Sequence, residues 1–111
     1  MMRLAMSPAA SALLRALVAR AEVEPDRILL SMVESVDWQS LTFTGERHKL
    51  NLRIIGADSD RVADRICAGL GEAEIRVPGA ILADIARVGE AATQPDGSTD
   101  LMIEALTVAD D

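Results

Sequence analysis

The sequence has no tyrosine and only one tryptophan, one phenylalanine, one histidine and one cysteine. Each shortage removes a class of function. With aromatics at 2% of residues there is little to stack on bases or sugars, which argues against nucleic-acid or carbohydrate recognition. Cations are short as well: 11 Lys and Arg against 18 Asp and Glu leave a net charge of -7, whereas phosphate-backbone binding needs a basic footprint. One cysteine forms no internal disulfide. Cys67 falls on an apolar helical face, where a thiol packs rather than reacts, so a reducing, cytoplasmic setting is expected.

Motifs are missing too. His48 has no second histidine or cysteine near it in sequence, so no zinc pattern exists. Asp58, Asp60 and Asp64 lack the glycine and distal glutamate of a calcium loop. No GxGxxG, P-loop or GxSxG occurs. The sequence therefore assigns no catalytic residue, no metal and no cofactor. Met1 to Val18 is rich in Ala and Leu, but Arg15 and then Arg20 interrupt any signal-like apolar run, and the stretch is too short and polar to span a bilayer. No membrane partner is expected.

What remains is a chain of 111 residues, half of them hydrophobic, which suits one core and is too short for two ordinary domains. A single domain over 1–111 is expected, with 1–6 disordered. Ser7-Pro8 is a helix start, and Ala10, Leu13, Leu14, Leu17, Val18 and Ala21 follow as one apolar stripe that ends before Pro25. A long hairpin from Arg27 to Ile55 comes next. Its return strand alternates Leu50, Leu52 and Ile54 with Lys49, Asn51 and Arg53. On the outgoing strand the apolar positions change phase, from even (Ile28 to Trp38) to odd (Leu41, Phe43), which predicts a bulge near Asp37-Trp38-Gln39-Ser40. A two-residue turn at Gly45-Glu46 would then set Phe43 opposite His48.

Gly56 to Ser59 breaks the strand and opens a second helix, with a stripe of Val62, Ile66, Cys67 and Leu70 ending at Gly69 or Gly71. A short strand is expected over Ala73 to Val77, interrupted at Pro78-Gly79 and continued from Ala80 to about Ala92. Gln94 to Ser98 is a turn. The last strand, Leu101 to Val108, is apolar on both faces, as a central or partner-covered strand would be.

Sliding the chain by about 52 residues aligns Ser7 with Ser59, Leu30 with Leu82 and Gly45 with Gly97. That suggests pseudo-repeats over 7–58 and 59–110. The expected fold is α+β, a two-layer sandwich in the order αββαββ, with an antiparallel four- to five-stranded sheet and two helices on one face. This element order resembles a circularly permuted ferredoxin-like fold, a likeness of architecture alone, which implies no particular function.

Four side chains are candidates for a ligand site: His48, the one group that titrates near neutrality; Trp38 and Asp37 at the inferred bulge; and Arg53, placed across the strands from Trp38. Arg47, Lys49 and Arg53 form a basic stripe that a small anionic ligand would suit. The leading expectation is a cytoplasmic, non-enzymatic association module that pairs as a homodimer through an uncovered apolar face. The alternative is a small-molecule binder or small enzyme with a cleft around His48 and Trp38.

Overall fold

A computed structural model describes residues 6–110. The expected disorder of 1–6 falls almost wholly on residues outside that range; Met6 itself is half-buried. The order is α1 (Pro8–Ala21), β1 (Ile28–Gln39), β2 (Thr44–Ile54), α2 (Ser59–Cys67), β3 (Ala80–Arg87), β4 (Ala92–Thr93) and β5 (Thr99–Ala109). All pairings are antiparallel, in the order β1-β2-β5-β3, with the short β4 beside the start of β5. Both helices cover one face. The two-layer αββαββ expectation holds.

β5 is the central strand, paired with β2 on one side and with β3 and β4 on the other. Its odd residues Leu101, Ile103 and Ala105 are buried under the helices, together with Leu50, Leu52 and Ile54 of β2. Leu13 and Leu17 from α1 and Val62 and Ile66 from α2 join Leu52, Ile54, Leu101, Ile103 and Ala105 in one apolar cluster. Burial of these side chains, at roughly 1.5–3 kcal/mol each, is the main stabilising term.

The helices are clasped by two reciprocal arginines. Arg20 of α1 donates from Nε to the Ile66 carbonyl at 2.8 Å and from Nη2 to the Ala68 carbonyl, at the C-terminus of α2. Arg65 of α2 donates to the Ala21 carbonyl, the last of α1, at 2.8 Å. Each cation meets the negative end of the other helix and satisfies carbonyls that a helix terminus leaves open. Glu22, the C-cap of α1, sits in the left-handed region at φ 54 without being glycine. Elsewhere in the loops, Arg27 joins Asp58 and donates to the Ile55 carbonyl, filling the space beside Gly56 (φ 114) that a Cβ would need.

The hairpin departs from the sequence expectation. Its bulge lies between Leu30 and Met32, at Ser31, and the connection is a four-residue turn over Ser40 to Phe43, closed by Ser40 N–H donating to the Phe43 carbonyl at 2.8 Å. Leu41 and Phe43 are therefore exposed turn residues, not strand residues, and His48 faces Ser35 rather than Phe43. The apparent phase change joined a strand to a turn. Beyond Ser31 the even residues Met32, Val36 and Trp38 lie opposite Asn51, Arg47 and Gly45, on the sheet face that no helix covers.

β3 is bulged between Leu82 and Asp84. Ser31 and Ala83, the extra residues of the two bulges, stand the same interval apart as Ser7 and Ser59. The aligned glycines do not correspond, because Gly45 lies within β2 and Gly97 in the β4–β5 turn. Ser59 is not a cap either: it lies in the first turn of α2 and donates to the Gly97 carbonyl at 2.6 Å, tying the helix to that turn. Ala73 to Val77 forms no strand. Pro78 and Gly79 (φ 73) make a tight turn, with Ala80 N–H donating to the Val77 carbonyl at 3.1 Å.

Arg20→Ala and Arg65→Ala should each lower the unfolding free energy by about 1–3 kcal/mol, since each removes charge-assisted bonds to helix-end carbonyls. Urea denaturation followed by circular dichroism measures this. Native-like midpoints for both variants would show that the clasp is incidental.

Candidate functional site

A cleft of about 660 Å³ lies at the end of the sheet where β1 stops and β2 begins. Its floor crosses all four main strands, from Asp37 and Trp38 through Gly45 and Glu46 to Thr107 and Ala80. Pro8 and Ala9, the first turn of α1, form one wall, and Pro78-Gly79 another. It exists because α1 starts short of the sheet's end. Asp37 and Glu46 are cross-strand partners, so their carboxylates share the helix-side face.

Trp38 packs on Gly45, and the fit depends on that glycine. A Cβ on residue 45 would collide with the Thr107 carbonyl and come within 2.9 Å of Trp38 Nε1. The indole N–H is itself buried and has no hydrogen-bond partner among the described residues.

His48 is not in this cleft. It is fully buried inside the sheet, with Nδ1 2.8 Å from Ser35 Oγ on β1 and Nε2 2.9 Å from Thr107 Oγ1 on β5. Thr107 Oγ1 also donates to the Glu46 carbonyl at 3.4 Å. One arrangement satisfies the set: Nε2–H donates to Thr107, and the Ser35 hydroxyl donates to Nδ1. Burial pushes the His48 pKa down, with Glu46 opposing the shift in part, so the ring is held neutral. It is a three-strand staple.

Arg53 is remote from Trp38. It lies toward the other end of β2, opposite Leu29, and forms an ion pair with Asp100 of β5, Nε to Oδ1 at 3.1 Å. The basic stripe does project from the uncovered face as its alternation implies, but acids flank it. Lys49 lies between Glu34 and Glu104, and Arg53 faces Asp100. Arg47, by contrast, stands between Val36 and Leu106. The four candidates thus divide: Asp37 and Trp38 share the cleft, whereas His48 and Arg53 stand apart. Among the described residues no group of three His, Cys, Asp or Glu converges on a possible metal position.

The sequence reading missed Glu46, Ser35 and Thr107. Counting back by twos from Leu50 puts both His48 and Glu46 on the helix side, and that signal was obscured by placing the turn at Gly45-Glu46. Ser35 and Thr107 follow only from the register.

No family model matches the chain, and a search of curated proteins finds none similar to it. Among solved structures it is similar to a chain from the virion of a native gene transfer agent (GTA) particle, with 19% identity and a TM-score of 0.51, over 88% of this chain and 86% of that one. At this identity the likeness establishes a shared fold. Both functional expectations are corrected. The fold is similar, over 88% of this chain, to that of a chain in a virion, which counts against the free-standing cytoplasmic homodimer expected from the sequence; the alternative, a cleft around His48 and Trp38, fails because β2 carries His48 into the sheet.

Two outcomes follow. Gly45→Ala should destabilise by about 1–3 kcal/mol through overpacking against backbone that cannot yield, and should shift the emission of Trp38; an unchanged melting point and spectrum would refute that packing. For His48 the folded pKa is depressed, so below the unfolded value near 6.5 only the unfolded chain takes up the proton. Stability present above that pH should therefore decline as pH falls from 7.5 to 5.5, with a shallower decline in His48→Gln. Equal slopes in urea titrations of the two proteins would exclude the effect.

Proposed function

We propose that this chain is a structural component of a phage-like particle of the gene-transfer type, assembling there with copies of itself and with other particle proteins. The observation that carries the proposal is the fold correspondence over nearly the full length of both chains. The uncovered sheet face supports it. That face carries half-buried Met32, Met102, Leu106 and Val108 and exposed Leu29, Val36 and Ile81, interleaved with Arg47, Lys49, Glu34 and Glu104. Apolar patches broken by paired charges are usual where subunits meet.

The charge of -7 supports a role in the protein shell rather than on packaged DNA. Among the described residues no helix is long and apolar enough to cross a membrane. A component of this kind is made in the cytoplasm and leaves with the particle. The corresponding bulges at Ser31 and Ala83 further support an αββ duplication as its origin.

The test is to isolate nuclease-resistant particles from the source cells and quantify this chain in them by mass spectrometry. It is expected in the particle fraction at a fixed ratio to the major shell protein, and lost from it when particle production is abolished. Recovery only in the soluble, particle-free fraction would overturn the proposal.

A further inference from the structure

We infer that the cleft at the end of the sheet is a docking groove for an extended, cationic segment of a different particle protein. The inference deepens the particle reading by naming one partner chemistry, but it stands on the groove itself.

Shape comes first. The floor crosses four strands, and at about 4.8 Å between strands the trench is roughly 15 Å long, enough for about four or five extended residues. Charge comes second. Asp37 and Glu46 line the floor side by side; among the described residues no Lys or Arg lines the cleft and neither carboxylate has an ion-pair partner. Trp38, between Asp37 and Gln39 on β1, also lines the cleft and is half-buried.

The opposing effect is smaller. The first turn of α1 forms one wall, and a helix N-terminus carries at most about half a positive charge. One of its N–H groups, that of Ala10, is already bonded to the Ser7 side chain at 3.1 Å. Two full carboxylates prevail, so the groove selects a cation. A net charge of -7 makes a second copy of this chain repel the groove, which favours a different, cationic chain.

Trp38 is the only tryptophan, so it reports occupancy directly. The purified chain is titrated with a capped pentapeptide of alternating alanine and arginine, and separately with its glutamate counterpart, while tryptophan emission is recorded. The arginine peptide should give a saturable change that weakens with salt; the glutamate peptide should give none. Asp37→Asn with Glu46→Gln should weaken binding at least about tenfold, with the melting point retained. The control double variant, Asp26→Asn with Glu90→Gln, removes the same charge from exposed sites elsewhere and should bind as the parent does. Equal loss in both double variants would reduce the effect to general electrostatics and overturn the inference, as would no emission change at millimolar peptide. Either failure leaves the particle reading untouched, because that reading is decided by co-isolation with particles.

Discussion

β5 is the element on which the structure depends. A strand that is apolar on both faces has to be paired along both edges and covered on at least one side, and the chain meets that demand by bringing β2 and β3 to its flanks and both helices over Leu101, Ile103 and Ala105. Everything else follows from the shortage of covering material. Two helices of 14 and 9 residues cover one face of a sheet whose main strands run to 11 or 12 residues. The opposite face stays open, and so does the end of the sheet beyond the first turn of α1.

Specificity in this core comes from a few polar devices set into apolar packing. The Arg20 and Arg65 clasp fixes how the helices lie on one another, because each guanidinium reaches carbonyls that exist only at the other helix's end. His48 does the same for the sheet, joining β1, β2 and β5 through two hydroxyls. A neutral imidazole with both nitrogens satisfied is tolerated in the interior, whereas an unpartnered one would cost about 1–3 kcal/mol for each lost bond. Half-satisfied alternatives are disfavoured, so the pairing register is held.

The bulges at Ser31 and Ala83 explain why the edge strands were hard to read. Each inserts one residue between a strand segment that alternates correctly with the core and one that alternates out of phase. On β1 the segment after the bulge carries Met32, Val36 and Trp38 on the uncovered face, while the helix side has Val33, Ser35 and Asp37. An apolar pattern normally marks the buried face. Here it marks the surface proposed to meet other subunits, and that inversion misplaced both the bulge and the turn.

Local chemistry alone determined α1 with its Ser7 cap, α2 with an end before Gly69 or Gly71, the alternation of β2, the turn at Gln94 to Ser98 and β5 as a strand apolar on both faces, central or partner-covered. Each rests on contacts between near neighbours in sequence or on a periodicity of a single element. It also determined the αββαββ order and the two-layer architecture. Only the tertiary structure decided which candidate side chains meet. Asp37 and Trp38 share a cleft with Glu46 and Thr107 because four strands end together there, while His48, two residues from Glu46, is carried into the core by the sheet's two-residue period. Cross-strand register is set by pairing between residues as distant as 48 and 107. No local pattern contains that information, so the site was decided where the strands meet and not where its residues lie along the chain.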